Sequence, residues 1–485
     1  MLNPDEYRAH DALGLAALVR DGEVTSAELV ECALAAIDHH DPVLNAVILR
    51  DDALAREDAL TPPANAPLAG VPFLVKDINV DVAGWPLTHA CRFFAGAAPA
   101  RADSQLARRW REAGLITVGR TNTPEFATDF ACEPELYGPT LNPWDTSRTP
   151  GGSSGGAAAA VAAGMVPMAH ASDSGGSIRV PASCCGLFGF KPTSGLVASG
   201  ADIGPLVGGL NCDHVISWSV RDCAAMLDYT AGPADGAPTA WARPGDGFLR
   251  AIDLPPQGLR IGLCATAPSG QKPTAEIAAM LMQTGALLES MGHDIIPFDW
   301  PENIDPIDVA AAIWTSEIAL AMEQRAKLLG RAPRADEVGP LVRYSLDQAA
   351  YHSALDMARM RLQRWDIRRR VAQATASFDM VLTPVTAETA VPSGLLGGLS
   401  ERSFDDWAAR SAAFAPYTEI FNLTGQPAMS VPLHQGADGL PVGMQLAARV
   451  GEDALLLRLA RQLEQASPWA SRRPPQNRLV QSGMH

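Results

Sequence analysis

The sequence has no long uninterrupted hydrophobic run, although apolar residues make up 47% of its 485 positions. The most apolar stretch, 157–171, contains Gly164, Pro167 and His170 and is too short to cross a bilayer. The N-terminus also has no basic segment followed by an apolar one, which is the pattern of a secretory signal. The sequence therefore predicts no membrane association and a cytoplasmic location.

Positive charge is in short supply, with 38 basic residues against 54 acidic ones and a net charge of −16. Such a surface repels phosphates, so we expect no nucleic-acid partner. Paired CxxC spacings are absent as well, which argues against a zinc site or a disulfide framework. The sequence thus predicts no metal, no cofactor and buried thiols in a reducing compartment. The eight cysteines are Cys32, Cys91, Cys132, Cys184, Cys185, Cys212, Cys223 and Cys264.

Lysine is the scarcest charged residue, because only four of the 38 basic residues are lysines. Arginine cannot release its proton in any useful pH range, whereas lysine can. Each lysine is therefore a candidate for proton transfer, although coding bias also explains the preference for arginine. The four lysines are Lys76, Lys191, Lys272 and Lys327.

Helical and strand patterns alternate along the chain. Thr25 and Glu28 have capping-box spacing and start a helical pattern that we expect to end at Asp41–Pro42. The apolar segment 70–80, bounded by Gly and Pro, predicts a buried strand with Lys76 near its exit. The alternation predicts an α/β fold with a covered sheet in one domain. Further helices are expected at 104–113, 157–164, 274–292, 307–329, 350–377 and 452–466, strands at 115–119, 165–171, 380–384 and 430–446, and surface connections at 200–260.

Two glycine–serine loops, separated by one helix and one strand, lie within 150–181. A phosphate-binding loop would end in Gly-Lys-Ser/Thr, which is absent here. The GxSxG match at 151–155 lacks the preceding strand of a nucleophile elbow. Asp173–Gly176 resembles the serine loop of trypsin-like proteases, which are disulfide-rich all-β proteins unlike this chain. His170 precedes Ser177 by seven residues, so a Ser–His pair is a further alternative.

The whole 150–181 segment resembles the amidase signature, in which two serines are separated by a fixed distance. Ser177 follows Ser153 by 24 residues, as in that family. Segments 133–144 and 440–448 are most similar to bacterial amide hydrolases of the 6-aminohexanoate cyclic-dimer hydrolase and aryl acylamidase kind. The other matching motifs are GVPFLVKD at 70–77, GRTNTPEFA at 119–127, NPW at 142–144, GFKPTSG at 189–195, LTGQPAMSVP at 423–432 and GLPVGMQL at 439–446.

This resemblance implies a single domain over 1–485, with a catalytic core at about 65–200 and a mixed, twisted β-sheet covered by helices on both faces. It implies hydrolysis of a carboxylic amide, with ester or carbamate cleavage left open, through an acyl-enzyme on Ser177. Ser153, after a cis Gly152–Ser153 peptide bond, would relay protons to the base Lys76. The implied oxyanion hole consists of the backbone N–H groups of Ser174, Gly175, Gly176 and Ser177.

Lysine suits the role of base only if its pKa falls from about 10.4 toward neutrality, and burial without a carboxylate partner has that effect. Asp77 follows Lys76 directly, but adjacent strand residues face opposite sides. We expect Ser154 to cap the following helix, Asp173 and Arg179 to order the second loop through charge-assisted hydrogen bonds, and Lys191 to lie in a structural turn.

Two rival functions share these residues: a subunit of a glutamine-dependent amidotransferase, and a non-catalytic binding protein. The expected partner is a small-molecule amide, and the oligomeric state is left open, a homodimer included. We expect loops at 125–140, 310–320 and 415–425 to build the substrate pocket. Their aromatic residues suggest a hydrophobic acyl or aryl group, and core packing explains them equally well; they are Phe126, Phe130, Tyr137, Trp314 and Tyr417.

Overall fold

The computed structural model describes residues 2–63, 66–198, 206–237, 239–397 and 403–475. Its centre is one eleven-stranded sheet with the order β1-β3-β2-β4-β6-β5-β10-β11-β9-β7-β8. The strands are β1 (Val47–Leu49), β2 (Pro72–Lys76), β3 (Ile116–Thr121), β4 (Met168–Asp173), β5 (Phe188–Lys191), β6 (Cys212–Ser217), β7 (Arg260–Leu263), β8 (Asp294–Pro297), β9 (Met380–Pro384), β10 (Ala428–Gln435) and β11 (Pro441–Ala448).

Sixteen α-helices occur in the described ranges and flank this sheet, so the fold is the predicted mixed α/β domain. No helix in those ranges is long and apolar enough to cross a membrane. The helices are α1 (Pro4–Ala9), α2 (Ala12–Arg20), α3 (Ser26–Leu44), α4 (Asp52–Asp58), α5 (Gln105–Glu112), α6 (Gly155–Ala163), α7 (Arg179–Cys185), α8 (Val220–Thr230), α9 (Phe248–Ala251), α10 (Ala275–Ser290), α11 (Ile307–Leu329), α12 (Pro340–Tyr351), α13 (Ala354–Ala374), α14 (Phe404–Phe414), α15 (Glu419–Thr424) and α16 (Asp453–Ala466).

Strand β2 lies inside the sheet, where it pairs in parallel with β3 and β4. All five of its residues are buried, which agrees with the continuous apolar pattern that predicted this strand. The same burial applies to Lys76, the last residue of β2. The sequence thus places an ionisable side chain in the interior, at the carboxyl end of a central strand.

Helix α6 lies between the two glycine–serine loops in the chain and packs against the sheet. Every residue from Gly155 to Ala163 is buried, and the helix packs on β2, β3, β4 and β6. Alanine and glycine side chains are small enough for such a close approach on all sides. The segment therefore fixes the positions of both loops relative to β2.

Three local predictions need correction. Helix α3 has the predicted capping box at Thr25 but continues through Pro42, because a proline in the last turns removes only one backbone hydrogen bond. The 200–260 region contains the buried strand β6 and helix α8 rather than surface connections alone. Polar residues within β6 concealed its strand pattern. Lys191 is the final residue of β5, not part of a turn.

Candidate active site

The amine of Lys76 lies inside the protein, surrounded by serine hydroxyl groups. The side chain is fully buried. Its Nζ donates hydrogen bonds to Oγ of Ser153 at 2.7 Å, of Ser154 at 2.9 Å and of Ser172 at 3.0 Å. Because a protonated amine has three N–H donors, each donor has one hydroxyl partner. In the described ranges, no carboxylate forms an ion pair with this amine.

Burial makes Lys76 much more acidic than a free lysine. It lowers the pKa of Lys76 from 10.5 to about 7, while the thiol of Cys132 and the carboxyls of Asp213 and Asp173 act in the opposite direction without restoring it. A large fraction of the amine is therefore neutral near pH 7. A neutral amine has a lone pair that accepts a proton, which arginine at this position lacks.

Asp77 does not neutralise the neighbouring amine. Its carboxylate instead accepts hydrogen bonds from the hydroxyl and amide of Thr88 and from the amide of Ala90 at 3.1 Å. This follows from the alternation of side chains along a strand, which turns Asp77 away from Lys76. The lack of a pairing between the two side chains was expected from the sequence.

Ser153 enters the site from the loop before α6, and its peptide bond with Gly152 is cis, as expected. Gly152 packs against the backbone of residues 129–131, and a Cβ on it would lie only 2.6 Å from the Asp129 carbonyl oxygen. A glycine is therefore required immediately before Ser153. The hydroxyl of Ser153 is fully buried beside the amine of Lys76.

Ser154 does not cap α6 with its side chain, contrary to expectation. It occupies the N-cap position, but its hydroxyl makes no capping hydrogen bond. The hydroxyl accepts from Lys76 and donates to the carbonyl of Ser172 at 3.2 Å instead. Since this proton is already committed to a carbonyl, Ser154 is a poor donor toward a neutral Lys76. Ser153 has no such competing acceptor among the described residues.

Ser177 follows β4 and precedes α7, and it retains contact with solvent. It is 8% exposed, whereas Ser153 and Ser154 have no exposure. The two loops meet where the amide of Ser154 donates to the carbonyl of Ser177 at 3.3 Å. Between the hydroxyls of Ser153 and Ser177 the described chain contains no hydrogen bond. The site therefore combines a fully buried hydrogen bond between Lys76 and Ser153 with a nearby serine, Ser177, that solvent reaches.

The backbone from Ser174 to Ser177 offers a row of amide donors. None of these four amides donates a hydrogen bond to any described residue. The carbonyls of both glycines, in contrast, accept hydrogen bonds: Gly175 O accepts from Thr418 Oγ1 at 2.5 Å, and Gly176 O accepts from the amide of Val180 at 2.8 Å. Gly176 has φ +142° and abuts Thr418, so a side chain is disfavoured there. Uncommitted amides of this kind are suited to binding an oxyanion.

Asp173 and Arg179 form a buried ion pair beneath this loop. Arg179 Nη2 lies 2.8 Å from Asp173 Oδ1, and Nε lies 2.9 Å from Oδ2. Burial alone raises the pKa of Asp173, but the charge and hydrogen bonds of Arg179, with help from Lys191 and Asn422, hold it at about 2. The bidentate pair joins the end of β4 to the start of α7, and it thereby fixes the loop that carries Ser177.

The comparison with known proteins follows the same residues along most of the chain. A family model described as Amidase matches residues 28–457. The chain belongs to the amidase family. It is therefore an amidase, a hydrolase that acts on amide carbon–nitrogen bonds, and the predicted resemblance is confirmed.

Two kinds of amidase are similar to it. The chain is 35% identical over 498 residues to a 6-aminohexanoate-cyclic-dimer hydrolase from Paenarthrobacter ureafaciens, with 96% of each protein covered. A structure of 6-aminohexanoate cyclic dimer hydrolase complexed with substrate matches with TM-score 0.92 and 32% identity, covering 96% of this chain and 99% of that one. A bacterial aryl acylamidase structure matches with TM-score 0.84 and 26% identity, covering 95% and 97%.

The aromatic residues predicted to line the pocket of this amidase are divided among separate clusters. Phe126 and Trp314 pack in one apolar cluster, and Phe130 packs in a second. Tyr137 makes a hydrogen bond of 3.0 Å with the hydroxyl of Thr88. The described residues thus give no single aromatic pocket.

Tyr417 is a core residue in this amidase rather than an open pocket wall. It is 1% exposed, and its hydroxyl donates to the carbonyl of Ala265 at 3.0 Å. The expected pocket loops also need correction, because 310–320 lies within helix α11 and α15 occupies most of 415–425. The helix predicted at 307–329 already conflicted with a loop at 310–320, whereas the helical pattern of α15 was not recognised in the sequence.

His170 pairs with an acidic residue in this amidase rather than with a serine. It is fully buried on β4, and its Nε2 lies 3.2 Å from Asp213 Oδ1. It makes no hydrogen bond with Ser177 in the described structure. The Ser–His alternative is therefore unsupported by the geometry.

Several residues of the site were missed by the sequence analysis. Ser172 accepts a hydrogen bond from Lys76, and the pairing of β2 with β4 is the signal that could have identified it. Thr418, the N-cap residue of α15, and Asn422, within that helix, contact the loop from more than 200 residues further along the chain. No local signal in the sequence connects such distant segments.

Proposed function

We propose that this amidase cleaves a carboxylic amide through an acyl-enzyme on Ser177, with Ser153 as proton relay and Lys76 as base. The observation that carries the proposal is the buried amine of Lys76, which has a pKa of about 7 and lies 2.7 Å from the Ser153 hydroxyl. Serine is a weak nucleophile until a neighbouring base removes its proton. A neutral amine without a carboxylate partner meets that need.

In the first step, Ser177 Oγ attacks the amide carbon while its proton passes to Ser153. Ser153 in turn gives its own proton to Nζ of Lys76, so the neutral amine becomes a positively charged ammonium. The carbonyl oxygen becomes an oxyanion, which the free amides of 174–177 are suited to bind. The two Asp carboxyls that act on Lys76 stabilise its charged form at this stage.

In the second step, the proton returns from Lys76 through Ser153 to the nitrogen of the leaving amine. Amine departure leaves the acyl group esterified to Ser177. Water then attacks this ester with the same relay as general base, and it releases the carboxylic acid and free Ser177. The same steps would hydrolyse esters, in which an alcohol leaves instead of an amine, and carbamates, which would form a carbamoyl-enzyme on Ser177.

For the substrate, we propose a small-molecule amide with an apolar acyl or aryl part, and the similar hydrolases of 6-aminohexanoate cyclic dimer and aryl acylamides support this class. A panel of anilides, aliphatic amides, esters, carbamates and the 6-aminohexanoate cyclic dimer would rank the candidates. Turnover by the isolated chain without glutamine or a partner would separate this function from that of an amidotransferase subunit.

The direct test is covalent labelling of the intact chain by a fluorophosphonate, followed by peptide mass spectrometry. We expect a single adduct on Ser177 and none in Ser177→Ala. A label on Ser174, or equal labelling of wild type and Ser177→Ala, would contradict the assignment. Absence of any label together with absence of turnover would favour the non-catalytic binding function.

A further inference from the structure

The carboxyl group of Glu419 lies over the loop that carries Ser177. Glu419 is the first residue of α15 and is only partly buried. A Cβ added to Gly175 would meet Glu419 first, with Oε1 at 3.5 Å, Cγ at 3.8 Å and Cδ at 3.9 Å. Gly175 contributes one of the four free amides, so this acidic side chain stands at the edge of the proposed oxyanion site.

The backbone around Glu419 is held against the loop by Thr418, the N-cap residue of α15, and by Asn422 within the helix. Thr418 Oγ1 donates to the carbonyl of Gly175 at 2.5 Å, and Arg179 Nη1 donates to the carbonyl of Thr418 at 2.8 Å. One turn later, Asn422 Nδ2 donates to the carbonyl of Asp173 at 2.8 Å. These hydrogen bonds fix the backbone of Glu419 relative to the loop that carries Ser177.

No described residue donates a hydrogen bond to the Glu419 carboxyl or forms an ion pair with it. Arg179 is the cation whose charge acts on Glu419, but its guanidinium is fully committed. All five N–H donors of that guanidinium have other acceptors, namely Asp173 Oδ1 and Oδ2, Thr418 O, Gln445 Oε1 and Asn422 Oδ1. The carboxyl therefore forms no ion pair with any described residue, although the charge of Arg179 acts on it from a distance.

The surroundings of Glu419 disfavour the ionised form of its carboxyl group. Burial raises the pKa of Glu419 to about 8, and the nearby carboxyl of Asp305 raises it further while Arg179 lowers it. A cation placed against Glu419 would offset the cost of ionising the carboxyl group, because an opposite charge stabilises the carboxylate. Neutral or anionic groups provide no such compensation.

We propose that Glu419 is a specificity-determining residue that binds an ammonium group of the amide substrate. This inference rests on the proposed function, since it places the ammonium group beside the loop where the amide carbonyl would bind. The substrate class is then an amino-substituted carboxylic amide, in which an alkylammonium is separated from the scissile bond by a short chain. A neutral amide that hydrogen-bonds to protonated Glu419 is the competing possibility.

The kinetic test compares ω-aminoacyl anilides, with two to six carbons in the acyl chain, with alkanoyl anilides of equal length. We expect the wild type to prefer one or more aminoacyl anilides through a lower KM. Glu419→Gln should reduce kcat/KM for those substrates between about tenfold and a hundredfold, as expected for loss of one partner of a charge pair. It should leave the alkanoyl anilides nearly unchanged. Glu289→Gln on the exposed face of α10 is the matched control.

Equal losses on both substrate series in Glu419→Gln, or a wild type that does not distinguish the series, would overturn the inference. So would an aminoacyl preference that survives in Glu419→Gln. Calorimetric binding to Ser177→Ala provides a readout that needs no turnover. If Ser177→Ala binds aminoacyl anilides more tightly only when Glu419 is present, the inference holds even if no amide is hydrolysed and the proposed function fails.

Discussion

Lys76 Nζ and Ser153 Oγ lie 2.7 Å apart, and neither atom is in contact with solvent. When the amine is neutral, one neighbouring hydroxyl must donate to its lone pair. Ser154 gives its proton to the carbonyl of Ser172, whereas Ser153 makes no other donation in the described structure. This asymmetry argues against Ser154 as the relay. The hydroxyl of Ser172 also makes no other donation in the described structure, so the proposal of Ser153 rests on its 2.7 Å contact with the amine and on the resemblance to the amidase signature.

Replacement of Ser177 by alanine should abolish turnover while leaving the fold intact. We expect kcat/KM to fall about 10⁴-fold or more, as for other nucleophile deletions. Ser174→Ala should retain most of the activity, because Ser174 would contribute only its backbone amide and its hydroxyl bonds to Asn211. Anilide kinetics and circular dichroism of both variants provide the check, and an exchange of the two results would refute the assignment.

Replacement of Ser153 by alanine should separate amides from activated esters. An amine needs a proton to depart, whereas a nitrophenolate leaves without one. Ser153→Ala should therefore reduce anilide hydrolysis by several orders of magnitude and nitrophenyl ester hydrolysis noticeably less. The measurement is kcat/KM for an anilide and a nitrophenyl ester with the same acyl group. Equal losses would mean that Ser153 holds the loop in shape and carries no proton.

Replacement of Ser154 by alanine should alter the titration of the amine more than the stability of α6. Its hydroxyl accepts a hydrogen bond from Lys76 and does not cap the helix. Loss of that acceptor destabilises the ammonium form, so the pKa of Lys76 should fall and the pH–rate profile should move to lower pH. Ser172→Ala should act in the same direction. If Ser154→Ala lowered the melting temperature without moving the pH–rate profile, Ser154 would have a purely structural role.

The Asp173–Arg179 pair should be essential for stability. Asp173→Asn leaves a buried guanidinium without its counterion, and we expect the free energy of unfolding to fall by about 3–5 kcal/mol. Because the pKa of Asp173 is depressed to about 2, the wild-type contribution is complete above pH 3.8 and is lost as the pH falls toward 2. Urea unfolding at pH 7, with the exposed Asp294→Asn as control, measures the effect. Equal stability of the two variants would contradict this account.

Sequence patterns predicted the core of this site because its parts are local. The continuous apolar pattern of β2 placed Lys76 in the interior, and the glycine–serine motifs identified Ser153 and Ser177 through their resemblance to a family. Ser154 was misjudged because an N-cap position has a strong local preference that the buried amine overrides. Local preference is a weak guide wherever a buried charge competes for the same hydroxyl.

The rest of the site could not be predicted because it is assembled from distant segments. Thr418 contacts Gly175 across 243 residues, and Glu419 has no periodicity or motif that links it to the loop. The same holds for the aromatic pocket, since Phe126 and Trp314 pack in one cluster and Phe130 packs in another. Chemistry can be predicted from residue types, but the substrate cavity depends on long-range packing.

The most direct test of the central claim is the pH dependence of anilide kcat/KM in the wild type and in Lys76→Arg. The pKa of Lys76 is lowered from 10.5 to about 7, so the neutral, active form accumulates as the pH rises. We expect the wild-type rate to rise through an apparent pKa near 7, and Lys76→Arg to lose about 10³-fold or more at every pH, because guanidinium accepts no proton. A flat wild-type profile, or substantial activity in Lys76→Arg, would contradict a neutral lysine base.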